Sequence, residues 1–176
     1  MATFIALLRA VNVGGTGKLP MEDLRAMCEA AGFRSVRTYI ASGNVVFESS
    51  LREAAVTKAL EAQLLAFAGK PVGVVVRTAA EMADVLAKNP FRDSPSNRTV
   101  AFFFSAPLPA GVLETISGRV DEEVQLGRRE LYVRYGADMG RSKLKIPAAR
   151  NGTARNMNTV ARLASMASSS PADGLR

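Results

Sequence analysis

Two residue types are missing from this 176-residue chain, which has no histidine and no tryptophan. The lack of histidine excludes Ser–His and Cys–His nucleophile pairs, a histidine general base and histidine-ligated zinc. Any chemistry would have to use a lysine base, a metal held by oxygen ligands or electrostatic stabilisation alone. Because no paired carboxylates stand out either, the sequence favours binding over catalysis and indicates no particular cofactor.

Cysteine and long apolar runs are also scarce. The one cysteine, Cys28, can form no internal disulfide, which fits a reducing compartment. It falls on the predicted buried face of a helix, where packing explains it better than reactivity. No apolar run reaches the roughly 18 residues that cross a bilayer. The segment Met1–Val11 has no basic residue ahead of its apolar stretch and predicts a strand, not a signal peptide. We therefore expect a cytoplasmic protein with no membrane partner.

Positive charge is in excess and unevenly placed. The net charge is +7, and apolar residues make up 48% of the chain, enough for a folded core. Nine basic and two acidic residues lie between Arg128 and Arg162, whereas the remainder of the chain holds 14 of each sign. Such asymmetry predicts an anionic partner. A solvated basic face that only aids solubility explains it equally well.

The first 78 residues predict a βαββαβ unit. Pro20 suits a helix start, and Gly32 and Gly69 suit helix ends. Ser50 with Glu53 has the spacing of a capping box. The predicted elements are, in order, strand Thr3–Val11, helix Pro20–Ala31, strand Val36–Ile40, strand Val45–Glu48, helix Ser50–Ala68 and strand Val72–Thr78. A ferredoxin-like sandwich satisfies this order.

The second half resembles the first more weakly. Thr78 and Glu81 repeat the capping-box spacing and predict a helix that reaches about Lys88. The later predicted elements are strand Thr99–Ser105, short helix Ala110–Gly118, a hairpin of Val120–Leu126 and Glu130–Tyr135 turning at Gly127, and helix Met157–Ala167. The order is βαββα, with no clear closing strand. We thus predict an α+β protein with one subdomain at 1–78, a helix and loop connection at 79–97, a second subdomain at 98–167 and a frayed tail at 168–176.

A glycine-rich stretch, Asn12–Lys18, follows the first predicted strand. A glycine-rich loop between a strand and a helix is one way to gather backbone amides around a phosphate. The stretch is not a Walker A loop, because Asn12 stands where the first glycine belongs and Leu19 replaces the Ser or Thr. Its glycine spacing does not match the dinucleotide fingerprint either. Anion binding and a plain flexible turn remain equally good explanations.

The hairpin Tyr39–Phe47 is a weaker candidate. Ser42, Gly43 and Asn44 at its tip are residues that a tight turn selects for backbone reasons alone. Turn chemistry is therefore favoured over ligand binding for this segment.

The stretch Gly140–Lys143 places one cation on each side of a hydroxyl. Such a group could hold a phosphate through charge-assisted hydrogen bonds. Residues Met139–Arg155 include five cations and no acid, which favours a function slightly over a simple polar connection.

The last candidate stretch is Arg155–Thr159. Either Asn156 or Asn158 would make an N-cap for the final helix. Arg155 would be a cation at the positive end of that helix, where the dipole disfavours it. A residue placed against its local preference hints at a site that holds an anion.

Several of these stretches, in this order, form a pattern that resembles a known family. The motifs are Ala6–Gly15, Leu19–Met21, Thr38–Phe47, Asn89–Phe91, Gly140–Leu144 and Thr153–Val160. They resemble the bacterial family called domain of unknown function 1697. The resemblance implies an α+β fold with two subdomains and implies no activity. Met157 stands where the family pattern usually has a tryptophan, so a ligand that stacks on that ring would be bound differently here.

The resemblance runs through all four candidate stretches, including polar residues that a core would not need. We therefore expect one cleft between the subdomains, lined by Arg9, Asn12, Lys18, Ser42, Asn44, Arg141, Lys143, Arg155 and Asn158. Gly14, Gly15, Ser142 and Asn156 complete the set of candidate anion-binding residues.

Three functions follow from these observations. The first is a binding protein or enzyme for a small phosphorylated or otherwise anionic molecule, with Lys18, Ser42 or Lys143 as candidate proton-transfer or nucleophilic groups. The second is an RNA-binding module, since RNA-recognition domains share the βαββαβ order and the isoelectric point is about 10.1. The third is a protein-interaction module with a basic docking face. Cations that converge in a concave pocket would favour the first function, and a broad convex stripe would favour the others. The oligomeric state stays open.

Overall fold

The computed structural model describes residues 1–11 and 18–169. The strands are β1 (Ala2–Leu8), β2 (Arg34–Thr38), β3 (Asn44–Ser49), β4 (Val74–Thr78), β5 (Thr99–Phe103), β6 (Glu123–Leu126), β7 (Glu130–Arg134) and β8 (Thr153–Asn156). The α-helices are α1 (Met21–Ala30), α2 (Glu53–Ala68), α3 (Ala79–Ala87) and α4 (Met157–Ser168). Short 3-10 helices cover Ser96–Arg98, Ala110–Thr115, Met139–Arg141 and Pro147–Asn151.

The chain divides into two compact units. The first comprises Met1–Ala83 together with the chain from Arg162 onward, and the second comprises Asp84–Ala161. Each unit contains one four-stranded antiparallel sheet. The mixed α+β architecture predicted from the sequence is thereby confirmed.

The sheet of the first unit has the strand order β2-β3-β1-β4. The strand β1 is central and pairs antiparallel with both β3 and β4. This is the order that a ferredoxin-like βαββαβ unit requires, because α1 and α2 each carry the chain across the sheet.

One face of this sheet builds an apolar core against α1 and α2. The Phe47 ring stacks between Phe33, with ring centroids 4.3 Å apart, and Phe4, at 6.1 Å. Cys28 is fully buried in the same core, and burial, aided by the charge of Glu29, raises the pKa of its thiol to about 12. The thiol is thus protonated at neutral pH, and the prediction that Cys28 serves packing is confirmed.

Local sequence signals set most helix ends. Gly32 adopts φ +90° after α1, its N–H bonds to the Glu29 carbonyl, and the Phe33 N–H bonds to the Cys28 carbonyl. These two bonds make a Schellman motif. Gly69 ends α2 in the same left-handed region, at φ 72°.

The two predicted capping boxes have different outcomes. The Thr78 and Glu81 side chains accept reciprocal bonds from each other's backbone N–H, at 3.1 and 2.9 Å. The box predicted for Ser50 and Glu53 is wrong, because α2 begins after Arg52, which gives no side-chain cap. Ser49 uses its hydroxyl instead to accept a bond from the N–H of Leu51, inside the preceding turn.

The second unit repeats the strand order as β6-β7-β5-β8. Its closing strand, β8, went unpredicted because it is short, mixed in polarity and directly followed by a helix. It exists because β5 supplies a backbone partner, with Ala101 opposite Arg155 and Phe103 opposite Thr153. The helix predicted over Ala110–Gly118 is a 3-10 helix that ends at Thr115.

The boundaries between the two units fall inside two helices, α3 and α4. The latter part of α3 lies in the second unit, where the Tyr132 hydroxyl donates to the Val85 carbonyl at 2.9 Å. The latter part of α4 lies in the first unit, where Arg37 donates to the Met166 carbonyl at 2.8 Å. There the Arg162 guanidinium also stands 5.9 Å from the centre of the Tyr39 ring. Within residues 1–11 and 18–169, no helix is both long enough and apolar enough to span a membrane.

Candidate functional site

The end of β1 is held from both sides by backbone hydrogen bonds. The N–H of Leu8 donates to the Gly43 carbonyl, and the N–H of Arg9 donates to the Gly73 carbonyl, each at 2.9 Å. The next residue, Ala10, has φ 50°, a left-handed conformation that costs a non-glycine residue about 1 kcal/mol. The flanking bonds hold the chain in this conformation.

Gly73 gives the Arg9 side chain its path. A Cβ at position 73 would lie 2.8 Å from Arg9 Cδ and 3.1 Å from Arg9 Nη1. The arginine therefore runs directly over the glycine backbone, where any larger residue would displace it. This contact directs Arg9 along the wall of the neighbouring cavity.

This cavity of the first unit, about 680 Å³ in volume, lies at the end of β1 and the end of α2. Among the described residues that line it are three cations and no carboxylate: Arg9, Lys18 and Lys70. Its other described wall residues are Ala10, Val11, Leu19, Leu64, Phe67, Ala68, Pro71, Val72 and Gly73. The wall is thus cationic on one part and apolar on another. We call it the β1–α2 cavity.

The end of α2 contributes some opposing charge. The carbonyl end of a helix carries roughly half a negative charge. Lys70 comes immediately after the Gly69 cap of α2, close to a helix end where a cation is favoured. The described lining residues thus bring three formal positive charges next to this partial negative charge.

The structure gives the hairpin residues local roles. Asn44 is fully buried, and its amide donates at 2.9 Å both to the Tyr39 carbonyl and to the Ser42 hydroxyl. Gly43 has φ +88°, and a Cβ there would lie 2.7 Å from Val11 Cγ2. These contacts agree with the turn chemistry that the sequence favoured for Ser42 and Asn44.

The Gly140–Lys143 stretch contacts acids of its own unit. Arg141 Nε forms an exposed ion pair with Asp138 at 3.2 Å. The Ser142 hydroxyl donates to Glu122 Oε1 at 2.6 Å, and Lys143 is exposed. The bond from Ser142, followed by one from the Val120 N–H, lowers the pKa of Glu122 below its usual value. Two of the three candidate residues here therefore bind carboxylates.

Arg155 is buried, with 7% of its surface exposed, in the middle of β8. Its guanidinium donates to the Thr153 hydroxyl at 2.7 Å and to the Ala154 carbonyl at 2.8 Å. Burial lowers its pKa to about 10. The sequence placed Arg155 at the positive end of the last helix, and the structure places it in a strand that the sequence did not reveal.

The asparagines after Arg155 also have local partners. The Asn156 side chain accepts a bond from the Thr159 N–H at 3.0 Å and caps α4, so the choice left open between two caps falls on Asn156. Asn158 is exposed and accepts a 2.6 Å bond from the Ser96 hydroxyl. Met157, at the position of the family's usual tryptophan, is buried.

The described candidates fall in both units. The first unit holds Arg9, Lys18, Ser42 and Asn44, and the second holds Arg141, Ser142, Lys143, Arg155, Asn156 and Asn158. Asn12, Gly14 and Gly15 lie outside the described residues. The cleft expected between the subdomains stays a prediction.

Three further residues stand out in the structure. Lys70 and Phe67 line the β1–α2 cavity, and Arg77 is fully buried in β4. A helix-end glycine followed by a lysine could have indicated Lys70, but no local signal relates it to Arg9. In the described part of the chain, no group of three or more Cys, Asp or Glu residues could hold a metal ion.

Comparisons with known proteins agree with the fold. The structure is similar to that of the conserved bacterial protein SP0830 from Streptococcus pneumoniae, with a TM-score of 0.79 and 22% sequence identity over 96% of this chain and 99% of that chain. At this identity the similarity supports the fold alone. No curated protein matches the sequence at a significant level. Residues 1–132 match the model of a family described as protein of unknown function, DUF1697. The chain therefore belongs to the DUF1697 family.

Proposed function

We propose that this protein binds a small phosphorylated or otherwise anionic molecule, and that the β1–α2 cavity is its binding site. The observation that carries the proposal is the lining of Arg9, Lys18 and Lys70 without a described carboxylate. Cations in a recess attract an anion more strongly than cations on an open surface, because the protein walls lower the local dielectric constant.

The size of the cavity supports a small ligand. Pockets for small molecules usually enclose about 300–1,000 Å³. The volume of about 680 Å³ lies inside that range. A site of this size does not require a macromolecular partner.

The candidate residues of the second unit support the proposal less well. Arg141 and Ser142 already bind the carboxylates of Asp138 and Glu122. An added anion would have to compete with those acids. Arg155 is buried and donates to its own strand, which explains its position without a ligand.

An RNA-binding module is less favoured by the side chains of the first unit. RNA-recognition domains stack bases on exposed aromatic residues of their central strands. Phe4 and Phe47, the aromatics of β1 and β3, are buried in the apolar core. Binding of RNA would then be mainly electrostatic and strongly salt-dependent.

The test is a binding titration with inorganic phosphate, small organic phosphates and short RNA at two salt concentrations. Lys70→Gln is expected to weaken phosphate binding by at least about tenfold, because a hydrogen bond to a charged group contributes about 1.5–3 kcal/mol. Lys58→Gln is the matched control, since Lys58 lies on α2 and lines an adjoining groove that shares only Pro71–Gly73 with the cavity. Arg141→Ala and Lys143→Ala test the second unit.

The outcomes separate the hypotheses. Loss of binding in Lys70→Gln but not in Lys58→Gln supports the cavity. Loss only in Arg141→Ala or Lys143→Ala would move the site to the second unit. Binding of RNA alone, lost at higher salt, would favour the nucleic-acid module, and no binding would favour protein docking. The proposal also includes a cytoplasmic location, which rests on the single cysteine.

A further inference from the structure

The β1–α2 cavity has an apolar wall that a bare phosphate would not use. Three of its apolar side chains, Val11, Leu19 and Leu64, belong to the buried core. Phe67 lines the cavity beside them and is 48% exposed. The cavity therefore offers a half-covered aromatic ring beside the cations.

The exposure of Phe67 is unexpected from its place on the helix. Leu60 and Leu64 lie on the core-facing side of α2 and are almost fully buried. Phe67 continues that side one turn later, three residues after Leu64. It is the last residue on this core-facing side of α2 and lies beyond the edge of the core, so part of the ring has no protein cover. The uncovered part of the ring is apolar surface that a ligand in the cavity could cover.

Lys70 lies close to Phe67 in the chain, and both line the same cavity. Phe67 and Lys70 are separated by the turn at Gly69, and Arg9 reaches the same wall over Gly73. A ligand with a charged end and an apolar body could contact both parts at once. Its charged end would meet the cations while its body covered Phe67.

We propose that the ligand of the β1–α2 cavity is an amphiphilic organic anion, with a phosphate-like group on Arg9, Lys18 and Lys70 and an apolar body on Phe67. This inference rests on the proposed function and narrows its ligand class. Phe67 is then the residue that selects organic over inorganic anions. Covering its ring contributes to affinity by removing apolar surface from water.

The experiment compares three probes by isothermal titration: inorganic phosphate, phenyl phosphate and hexyl phosphate. In the unmodified protein, the organic phosphates should bind about tenfold more tightly than inorganic phosphate. Phe67→Ala should abolish this preference and leave inorganic phosphate unaffected. Leu65→Ala is the matched control, because Leu65 is also on α2 and also 48% exposed but lines the adjoining groove with Lys58 and does not line the cavity.

The outcomes distinguish failure of the amphiphilic ligand from failure of the proposed function. If inorganic phosphate binds in a Lys70-dependent way and the organic phosphates bind no tighter, the amphiphilic ligand is wrong and anion binding stands. If no probe binds, the proposed function falls as well. If Phe67→Ala and Leu65→Ala have equal effects, the ring does not select the ligand. Tighter binding of phenyl than of hexyl phosphate would indicate an aromatic body, and the reverse an aliphatic one. Thermal unfolding of each variant checks that it is folded.

Discussion

The two units have the same strand order and different covering layers. In each, the first strand lies between the third and the fourth. The first unit has α1 and α2, of 10 and 16 residues, after its first and third strands. In the second unit the corresponding segments form only short 3-10 helices. Strand pairing is therefore the feature that the units share, and it does not depend on two covering α-helices.

The last strands of the two units correspond in detail. β4 ends with Arg77 and Thr78, and β8 ends with Arg155 and Asn156. Both arginines are buried, and each lies opposite a residue of the central strand, Ile5 or Ala101. Thr78 and Asn156 then supply the side-chain oxygens that cap α3 and α4.

The β1–α2 cavity depends on α2, an element in which the two units differ. Its wall includes the end of α2, and the second unit has no α-helix at the corresponding place in the chain. The strand order that the units share explains the fold, and α2 contributes the wall of the candidate site. Three predictions test this comparison.

The largest effect is expected for the buried arginines. Arg155→Ala should lower the free energy of unfolding by about 3–5 kcal/mol, because it leaves a cavity and removes the hydrogen bonds of a buried guanidinium. Arg155→Met, which keeps most of the volume without a buried charge, should cost clearly less. Urea unfolding measures both. An Arg155→Ala variant of unchanged stability with weakened phosphate binding would show instead that the arginine serves a ligand.

The hairpin turns should differ between the units. Gly43→Ala should cost about 2–3 kcal/mol, because it combines a left-handed φ with contacts under 3 Å to Val11 and Leu8. Gly127→Ala, in the turn of the second unit, should cost less than about 1 kcal/mol, since Gly127 has no positive φ and its nearest contact is Tyr132 at 3.0 Å. Equal losses in chemical unfolding would mean that the two turns carry the same constraint.

Smaller effects than those of Arg155→Ala and Gly43→Ala are expected for the helix caps. Thr78→Ala and Asn156→Ala should each cost about 1 kcal/mol, because each removes the side-chain oxygen that accepts a helix N–H. The loss for Thr78→Ala should be the smaller, because alanine keeps the backbone N–H that bonds to Glu81, and so half of the capping box survives. Thermal unfolding midpoints of the two variants test the order. The opposite order would contradict the capping contributions assigned to Thr78 and Asn156.

Features that depend on neighbouring residues were predictable from the sequence. Gly32 and Gly69 marked helix ends because a left-handed cap needs a residue without Cβ. Thr78 and Glu81 marked a helix start because their side chains reach each other's backbone. The same spacing at Ser50 and Glu53 failed, since Ser49 formed a competing turn one residue earlier.

Features that depend on distant partners were not predictable. β8 exists only through its pairing with β5, and its four residues carry no apolar pattern of their own. The candidate site had the same difficulty. Lys18 was predicted from the glycine-rich stretch and Arg9 from the family resemblance, whereas Lys70 is more than fifty residues away in the chain and joins them where the ends of α2 and β1 line one cavity.

The sequence by itself determined the α+β class and most elements of the first unit. It also excluded histidine-dependent chemistry, because the chain has no histidine. Those properties follow from composition, from periodicity and from the conformational preferences of single residues. Only the tertiary structure decided which cations share a cavity, which arginines are buried and which polar residues serve the backbone. Such choices depend on which distant segments pack together, and packing brings together residues whose separation in the chain carries no signal.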